Sequence, residues 1–320
     1  MKIYMLAKKI SSHLKKLSKS SPAVRRQFCF SNQENSLAEN NDEEPPSLCC
    51  NDPLLEEAFE KTKGLIHKYS NRVLIILTLQ CAAYCRFCTR RRLVSKIKKG
   101  ALKRADIDNM VDYLISKPDI SEVIFSGGDP LTVPEILKYA LNKISCLAQI
   151  KVIRIGTRVP VAEPKLITDK IINILKKINQ PLYIGIHFEH PDEITPQTIS
   201  ACRKLRESGA ILYSQSVFLK AVNDNYKTLY KLFSNLIEIG VKPYYIYRCD
   251  PVKGAEHFRV AFKKEIEIMT KLRKNLSGLA CPTYVIDTPN GSGKIPVPLN
   301  FWNFDSEKHL DFLDVQKNII

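Results

Sequence analysis

Apolar segments of two kinds alternate along the chain from Asp52 onward. Short runs rich in Ile, Val and aromatic residues have the length of buried β-strands, whereas longer segments with apolar positions three or four residues apart have the period of amphipathic helices. The predicted strands are residues 73–79, 122–125, 151–156, 182–188, 211–218, 243–248 and 283–287. The predicted helices are residues 104–116, 133–147, 163–178, 195–207, 225–239 and 263–276. Thr195 is a candidate N-cap, and Gly209 and Gly240 lie where helices should end.

The regular alternation predicts the fold. Because each helix returns the chain to the same end of the sheet, consecutive strands should be parallel. We expect an α/β fold, a partial (β/α) barrel with parallel strands inside and helices outside; a doubly wound open sheet is the alternative. In either fold, ligands bind at the carboxyl edge of the strands.

The two ends of the chain lack this alternation. Residues 1–50 are basic and then acidic, and we expect a flexible tail or a peripheral helix there. Their basic, Ser-rich start also resembles an organelle transit peptide, which is the minor alternative to a cytoplasmic protein with a lysine-rich tail. Residues 51–300 are expected to form the barrel, and residues 301–320 a short C-terminal tail.

Composition narrows the class of protein. Apolar residues make up 44% of the 320 positions, which excludes wholesale disorder. No apolar run approaches the ~20 residues that a transmembrane helix needs, so we expect no membrane association. Ten cysteines without a signal peptide favour a reducing, cytoplasmic location over a disulfide scaffold. The net charge of +16 favours an anionic partner, which can be nucleic acid, phosphate or an acidic protein.

The most specific motif is a group of three cysteines directly after the first predicted strand. Cys81, Cys85 and Cys88 form a C-x3-C-x2-C pattern. Three thiolates in one loop can hold three irons of a 4Fe-4S cluster, which leaves the fourth iron open to a small molecule. A structural zinc site is the alternative, but it needs four ligands and usually paired C-x2-C units. We therefore predict a 4Fe-4S cluster.

A second motif, Ser126-Gly127-Gly128-Asp129, follows the second predicted strand. Its glycines permit a close approach of the backbone to a ligand, although alone the motif reads as an ordinary turn. Together with the cysteine spacing and the aromatic residue before Cys88, it resembles the radical S-adenosylmethionine superfamily. The resemblance implies that S-adenosyl-L-methionine binds the open iron and that Ser126, Gly127, Gly128 and Asp129 lie beside this cofactor.

Further motifs narrow the resemblance to one family. They are Cys88-Thr-Arg90-Arg-Arg, Arg154-Ile-Gly-Thr-Arg158, His187-Phe-Glu-His190, Gln215-Ser, Pro243-Tyr-Tyr-Ile-Tyr-Arg-Cys-Asp250 and Asp287-Thr-Pro-Asn-Gly-Ser-Gly-Lys294. In this order they resemble the lysine 2,3-aminomutase family. The resemblance implies an isomerase that converts L-lysine to β-lysine through a 5′-deoxyadenosyl radical and a pyridoxal 5'-phosphate aldimine. It also implies a reductant such as flavodoxin or ferredoxin.

Three kinds of side chain are the candidates for binding cofactor and substrate. Lys294 follows a Gly-Ser-Gly turn, where it can form a Schiff base or be an ordinary surface lysine; the resemblance implies the pyridoxal phosphate anchor. Asp250 and Asp287 end two strands and can converge on a cation or serve as caps; the resemblance implies that they hold the substrate ε-ammonium. Arg90 is implied to receive the α-carboxylate, which a guanidinium fork suits. The resemblance further implies pyridoxal phosphate contacts from Arg72, Tyr69, Tyr244 and Tyr247, and S-adenosylmethionine contacts from His187 and Gln215.

Two features keep the oligomeric state and the physiological role open. Members of the clostridial type carry a cysteine-rich zinc segment after the pyridoxal lysine, but no cysteine follows Lys294 here, so we expect no interface zinc and leave a homo-oligomer open. The short end resembles the branch that supplies β-lysine to elongation factor P, whereas the aspartate pair favours the free-lysine branch.

An aminomutase of another amino acid and an RNA-binding or RNA-modifying iron-sulfur protein also stay open. The RNA hypothesis draws on the nine Lys and Arg residues between Arg86 and Arg104.

Overall fold

A ten-stranded sheet forms the centre of the described part of the chain. The computed structural model describes residues 6–8, 10–34, 49–94, 96, 100–288, 293–303 and 311–312. The strands of this sheet are β1 Glu60–Thr62, β2 Leu65–Tyr69, β3 Arg72–Thr78, β4 Glu122–Gly127, β5 Val152–Thr157, β6 Leu182–His187, β7 Ile211–Val217, β8 Lys242–Tyr247, β9 Thr283–Asp287 and β10 Lys294–Pro296. Strands β3 to β9 pair in parallel and in chain order. The short strands β11 Trp302–Asn303 and β12 Asp311–Phe312 pair separately.

Helices follow the parallel strands and cover one face of the sheet. They are α3 Arg91–Val94, α4 Arg104–Ile115, α5 Pro134–Ile144, α6 Val159–Ala162, α7 Asp169–Leu175, α8 Pro196–Glu207, α9 Tyr226–Glu238 and α10 Phe262–Asn275. Thr195 caps α8 by accepting a hydrogen bond from the backbone N–H of Thr198. Gly209 and Gly240 follow α8 and α9 with φ of +89° and +74°, a conformation that favours glycine. The predicted caps and stops are therefore confirmed.

The strands bury alternate residues against these helices. In β4, Val123 and Phe125 are fully buried, while Glu122 and Ser126 point to the other face and are half-buried. Strand β5 repeats this pattern, because side chains alternate between the two faces of a sheet. The helix-facing residues form the hydrophobic core, and the other face lines the inside of the barrel. The α/β fold and the partial (β/α) barrel are confirmed.

One predicted helix, residues 163–178, is shorter than expected. A 3-10 helix occupies Pro164–Leu166, and α7 begins only at Asp169. Thr168 accounts for the later start, because its hydroxyl accepts a hydrogen bond from the N–H of Ile171 as an N-cap. The other predicted helices and strands are found with ends that differ by at most three residues, and β9 matches its predicted bounds at both ends.

The edges of the sheet were not predicted. Strands β1 and β2 are antiparallel at one edge, and β10 is antiparallel to β9 at the other. The sheet curls so that these edges approach each other: a Cβ on Gly293, just before β10, would lie 3.6 Å from the Tyr69 hydroxyl of β2. The edge strands therefore bring residues from both ends of the sheet into one site.

Of the two alternatives for the N-terminal region, a flexible tail or a peripheral helix, residues 10–34 form helices. Helix α1 spans Ser12–Ser20 and helix α2 spans Pro22–Phe28. Leu14, Val24 and Phe28 are fully buried in the main core. Burial of these apolar side chains stabilises the helices against the barrel, which a basic composition alone does not reveal. Residues 35–48 lie outside the described residues.

In the described residues, every helix is too short or too polar to cross a lipid bilayer.

Candidate active site at the carboxyl edge of the sheet

The three predicted cluster ligands lie in the loop between β3 and α3. The Ala83 N–H donates to Cys81 Sγ at 3.4 Å, and the Cys88 N–H donates to the Cys85 carbonyl at 3.0 Å. Burial raises the pKa of Cys85 to about 11, although nearby Arg158 lowers it, and burial also raises the pKa values of Cys81 and Cys88. Among the described residues, no three Cys, His, Asp or Glu side chains converge on a point where one metal ion would fit. The assignment of Cys81, Cys85 and Cys88 to a 4Fe-4S cluster, in which each thiolate would bind a different iron, stays a prediction.

A buried arginine contacts this loop. Arg158, which follows β5, donates from Nη1 to Cys85 Sγ at 2.8 Å. Its Nη2 lies 3.1 Å from Glu193 Oε1 and also contacts the side chain of Gln27 in α2. A cation beside a thiolate favours the charged ligand that a cluster requires.

The Ser126-Gly127-Gly128-Asp129 loop packs tightly on the end of β3. A Cβ on Gly128 would lie 1.9 Å from the Gln80 carbonyl oxygen, so only glycine fits. The Asp129 carboxylate accepts hydrogen bonds from the Thr157 hydroxyl at 2.8 Å and the Arg158 N–H at 2.7 Å, and thereby ties this loop to the end of β5. The glycines thus allow a close approach to the cluster loop, and the role of the motif in binding S-adenosylmethionine stays a prediction.

Arg90, the predicted receptor for a carboxylate, is already paired with a carboxylate of this chain. Its Nε and Nη2 donate to both oxygens of Glu56 at 2.6–3.0 Å, and its Nη1 donates to Ser126 at 2.9 Å. Glu56 is buried, and the Arg90 charge lowers its pKa against the effect of burial. A guanidinium has five N–H donors, and the described contacts do not use all of them. Arg90 can therefore donate hydrogen bonds to a further anion.

The predicted lysine and aspartates converge at the ends of β8, β9 and β10. Lys294 Nζ lies 2.8 Å from Asp287 Oδ1 and 3.1 Å from Oδ2. Burial and the charge of Asp287 raise the pKa of Asp250 to about 7. Lys294, which follows the predicted turn, begins β10 and pairs with Asp287 in the antiparallel register. Residues 290–292 of that turn lie outside the described residues.

Aromatic residues surround this group. The Tyr247 ring centroid lies 5.4 Å from Lys294 Nζ, and its hydroxyl accepts a hydrogen bond from Gln215 Nε2 at 3.1 Å. The Arg72 guanidinium stacks on the Tyr69 ring at 3.9 Å. Tyr69 lies near Gly293, the neighbour of Lys294, and Arg72 joins this group through its stacking on Tyr69. Gln215 links β7 to the same group through Tyr247.

The described contacts of Tyr244 and His187 are with residues other than Lys294. Tyr244 is exposed, and its hydroxyl donates to the Tyr245 hydroxyl at 3.1 Å. His187 Nδ1 lies 3.3 Å from Glu189 Oε1, and the Glu189 N–H donates to Glu193, the partner of Arg158. His187 therefore joins the network that reaches the cluster loop.

Three residues of the site were missed from the sequence. Glu56 pairs with Arg90 from 34 positions away and carries no local signal. Lys68 of β2 interacts electrostatically with Asp287, while burial lowers its pKa. Arg158 stood in a motif of the family resemblance, but no separate role was predicted for it.

Four arginines of the basic run that suggested RNA binding are paired with carboxylates of the protein. Glu34 lies 2.6 Å from Arg86 and 2.9 Å from Arg91, and all three side chains are buried. Arg90 pairs with Glu56, and Arg92 lies 2.8 Å from Asp52. Buried, paired guanidiniums are not available to phosphate groups, so these contacts favour the aminomutase interpretation over RNA binding. Residues 97–99 of the run lie outside the described residues.

Comparison with known proteins finds several similar sequences. The sequence pattern of the Radical SAM superfamily matches residues 75–233. The L-lysine 2,3-aminomutase of Clostridium subterminale is 42% identical over 78% of this chain and 60% of its own length. A Treponema pallidum protein provisionally named L-lysine 2,3-aminomutase is 34% identical over 86% of this chain and 75% of its own. The glutamate 2,3-aminomutase of Clostridioides difficile is 38% identical over 77% of this chain and 58% of its own length. The chain thus spans about 60% of the length of its clostridial relative.

A solved structure agrees with the fold. A radical SAM methyltransferase from Sphaerobacter thermophilus aligns with a TM-score of 0.50 over 70% of this chain and 68% of that one. The sequences are 16% identical, so this likeness concerns the fold alone.

Proposed function

Since this chain belongs to the lysine 2,3-aminomutase family of radical SAM enzymes, we propose that it moves the α-amino group of L-lysine to C3 and releases β-lysine. When bound, the family's cofactors supply a radical that abstracts hydrogen and a ring that stabilises the migrating nitrogen. The residues of this chain bind these groups, orient the substrate and exclude water.

The carboxylate pair carries the proposal for lysine. Asp287 holds the ammonium of Lys294 at 2.8 Å, so the structure contains an alkylammonium bound at the place proposed for the substrate side chain. Asp250 lies close enough to interact electrostatically with both groups. Two carboxylates attract a substrate ammonium and repel the side-chain carboxylate of glutamate. For this reason we propose lysine, and not glutamate, as the substrate.

The opposite end of the substrate is assigned to Arg90. Glu56 fixes the guanidinium plane through hydrogen bonds to Nε and Nη2. Asp250 also interacts electrostatically with Glu56, which supports a common site for the arginine and the aspartates. A fixed guanidinium and a fixed carboxylate pair can hold a zwitterionic amino acid by both ends, which positions its C2 and C3 atoms.

Lys294 is proposed to anchor pyridoxal phosphate through its side-chain amine. The Tyr247 ring and the stacked Tyr69–Arg72 pair offer an aromatic surface and a cation for a phosphorylated ring. Cys81, Cys85 and Cys88 are proposed to hold the 4Fe-4S cluster beside the Ser126–Asp129 loop, where S-adenosylmethionine would bind. A flavodoxin or ferredoxin is the proposed electron donor.

The full chain, reconstituted without oxygen with iron, sulfide, S-adenosylmethionine, pyridoxal phosphate and dithionite, tests the proposal. We expect L-lysine to yield β-lysine, and chiral chromatography assigns its enantiomer. L-glutamate in the same assay is the specificity control and should remain unconverted. A protein with a complete cluster that forms no β-lysine contradicts the proposed reaction, and conversion of glutamate in place of lysine contradicts the proposed substrate.

A further inference from the structure

The contact between Arg158 and Cys85 joins a buried cation to a proposed cluster ligand. The Arg158 side chain is 5% exposed, and its Nη1 lies 2.8 Å from the sulfur. At that distance the guanidinium both donates a hydrogen bond and presents its charge to the thiolate. The low-dielectric surroundings strengthen this interaction relative to the same contact in water.

The guanidinium is held in place from several directions. Glu193 lies 3.1 Å from Nη2, and the Gln27 side chain contacts both Arg158 and Glu193, the latter at 2.6 Å. The rings of Phe28 and Phe87 lie 4.5 Å and 5.3 Å from its guanidinium carbon. A guanidinium confined in this way cannot turn away when the charge on the sulfur changes.

Helix α2 also supports the cluster loop through its backbone. The Arg86 N–H, within the loop, donates to the Gln27 carbonyl at 2.8 Å. Gln27 therefore connects the N-terminal region to the cysteine loop through its main chain and to Arg158 through its side chain. This arrangement gives residues 22–28 a contact with the site that the sequence did not predict.

We propose that Arg158 is a positioning residue that stabilises the reduced form of the cluster through the Cys85 thiolate, with Glu193 and Gln27 fixing its guanidinium. The inference rests on the proposed function, because it requires the cluster. Reduction places additional negative charge on the cluster and its thiolates, so a donor and a cation at Cys85 raise the reduction potential.

The electron transfer that Arg158 assists is simple to balance. One electron passes from a low-potential donor, dithionite in the assay, to the oxidised cluster, whose net core charge falls from 2+ to 1+. No covalent bond forms or breaks in this step, and Arg158 remains protonated throughout. Arg158 therefore alters the driving force of the step and is not itself a reactant.

Glu193 provides a test of the proposal, because replacing it should shift the midpoint potential in the direction opposite to that caused by replacing Arg158. At pH 8, above the pKa of about 7 to which burial raises Glu193, its carboxylate is charged and partly neutralises Arg158, so the two residues have opposite effects on the potential. Arg158→Gln should shift the midpoint potential to more negative values, by about 59 mV if the equilibrium constant for one-electron reduction falls tenfold. Glu193→Gln should shift it to more positive values, because the guanidinium charge is then less compensated. A loosened loop alone would not produce shifts of opposite sign.

The experiment is a dithionite titration of the reconstituted full chain, followed by electron paramagnetic resonance, with iron and sulfide content measured for each variant. Arg248→Gln is the matched control, because Arg248 forms a similar buried pair with Glu265 at 2.6 Å; its midpoint should equal that of the wild type. Arg158→Lys keeps the charge and should give an intermediate potential.

The possible results distinguish a failure of the proposed function from a failure of the role proposed for Arg158. A wild-type protein that assembles no 4Fe-4S cluster overturns the proposed function. A wild-type cluster with the same midpoint in Arg158→Gln, or shifts of the same sign in Arg158→Gln and Glu193→Gln, overturns the inference alone. If Arg158→Gln assembles no cluster, the sign of the Glu193→Gln shift decides: a positive shift supports the inference, and no shift or a negative shift overturns it.

Discussion

Replacing Asp250 by Asn should stabilise the protein without substrate and weaken its binding of lysine. The Asp250 carboxylate is partly buried and lies beside Asp287, and these two causes raise its pKa to about 7. Asn has the same shape without the charge. A residue that is unfavourable for folding and favourable for a cationic ligand is expected at a binding site, where function costs stability.

The magnitude follows from the shift in pKa. The change from 3.8 to about 7 is roughly three pH units, and at ~1.4 kcal/mol per unit the upper limit is about 4 kcal/mol. Because water reaches part of the carboxylate, we expect about half of this, ~2 kcal/mol. For 320 residues the unfolding entropy is about 0.7 kcal/mol/K, so Asp250→Asn should raise Tm by about 3 °C above pH 7.

The sign of the pH dependence provides an internal check. Since the folded-state pKa of Asp250 is raised, Asp250 costs no stability below pH ~4, where it is neutral in both states. The cost grows as the pH rises toward 7 and is complete above the folded-state pKa. The advantage of Asp250→Asn should therefore be largest at pH 8 and shrink steadily below pH 7. Thermal unfolding followed by circular dichroism measures this advantage. The exposed Asp119 supplies the control, because Asp119→Asn should leave Tm unchanged at every pH.

The affinity for L-lysine is measured by titration calorimetry on the pyridoxal phosphate-loaded protein. A hydrogen bond to a charged group contributes ~1.5–3 kcal/mol, so Asp250→Asn should weaken binding by about tenfold to a hundredfold. The reasoning is refuted if the variant is less stable than the wild type at pH 8, or if its advantage does not diminish in acid. Unchanged affinity for lysine refutes the assignment of the carboxylate to the substrate.

Three further substitutions probe other parts of the site. Lys294→Ala should abolish turnover and pyridoxal absorbance but leave the visible spectrum of the cluster intact; loss of the cluster would show that the residue has another role. Glu34→Gln leaves two buried guanidiniums without their carboxylate and should lower the free energy of unfolding by about 3–5 kcal/mol in urea titrations; a change below ~1 kcal/mol would contradict this. Gly128→Ala forces a Cβ to 1.9 Å from the Gln80 carbonyl and should reduce iron retention after reconstitution, whereas Gly278→Ala, where a Cβ meets nothing, should not.

The sequence predicted those parts of the fold whose signals are local. Strands β3 to β9 and their helices have clear apolar periods, so their order and type could be predicted before the structure. Strands β1, β2 and β10 are short or polar, and pairing with distant neighbours defines them. The burial of α1 and α2 was missed for a similar reason. Apolar residues such as Leu14 and Phe28 are outnumbered by basic residues in this region, and the barrel surface that buries them is formed by distant parts of the chain.

In the site, as in the fold, the features with local sequence signals were predicted and the contacts between distant residues were not. The cysteine spacing identifies its chemistry locally, and the structure brings Asp287 and Lys294 into contact as expected of a common site. The pairing of Arg90 with Glu56, and of Arg158 with Glu193, joins residues 34 and 35 positions apart. No periodic pattern encodes such contacts, because they depend on how loops from different strands meet at one edge of the sheet.

Under the proposed function, the contact between Lys294 and Asp287 is an internal competitor for a lysine substrate. While the Lys294 ammonium occupies the carboxylate, an incoming lysine side chain meets a charge that is already neutralised. Under the proposed function, cofactor binding that consumes the Lys294 amine would remove the competitor, so loading with pyridoxal phosphate and affinity for lysine would be linked. Because thermodynamic linkage is reciprocal, lysine should then also tighten the retention of the cofactor. The protein would then load its cofactor first and admit its substrate second, an order set by one ion pair.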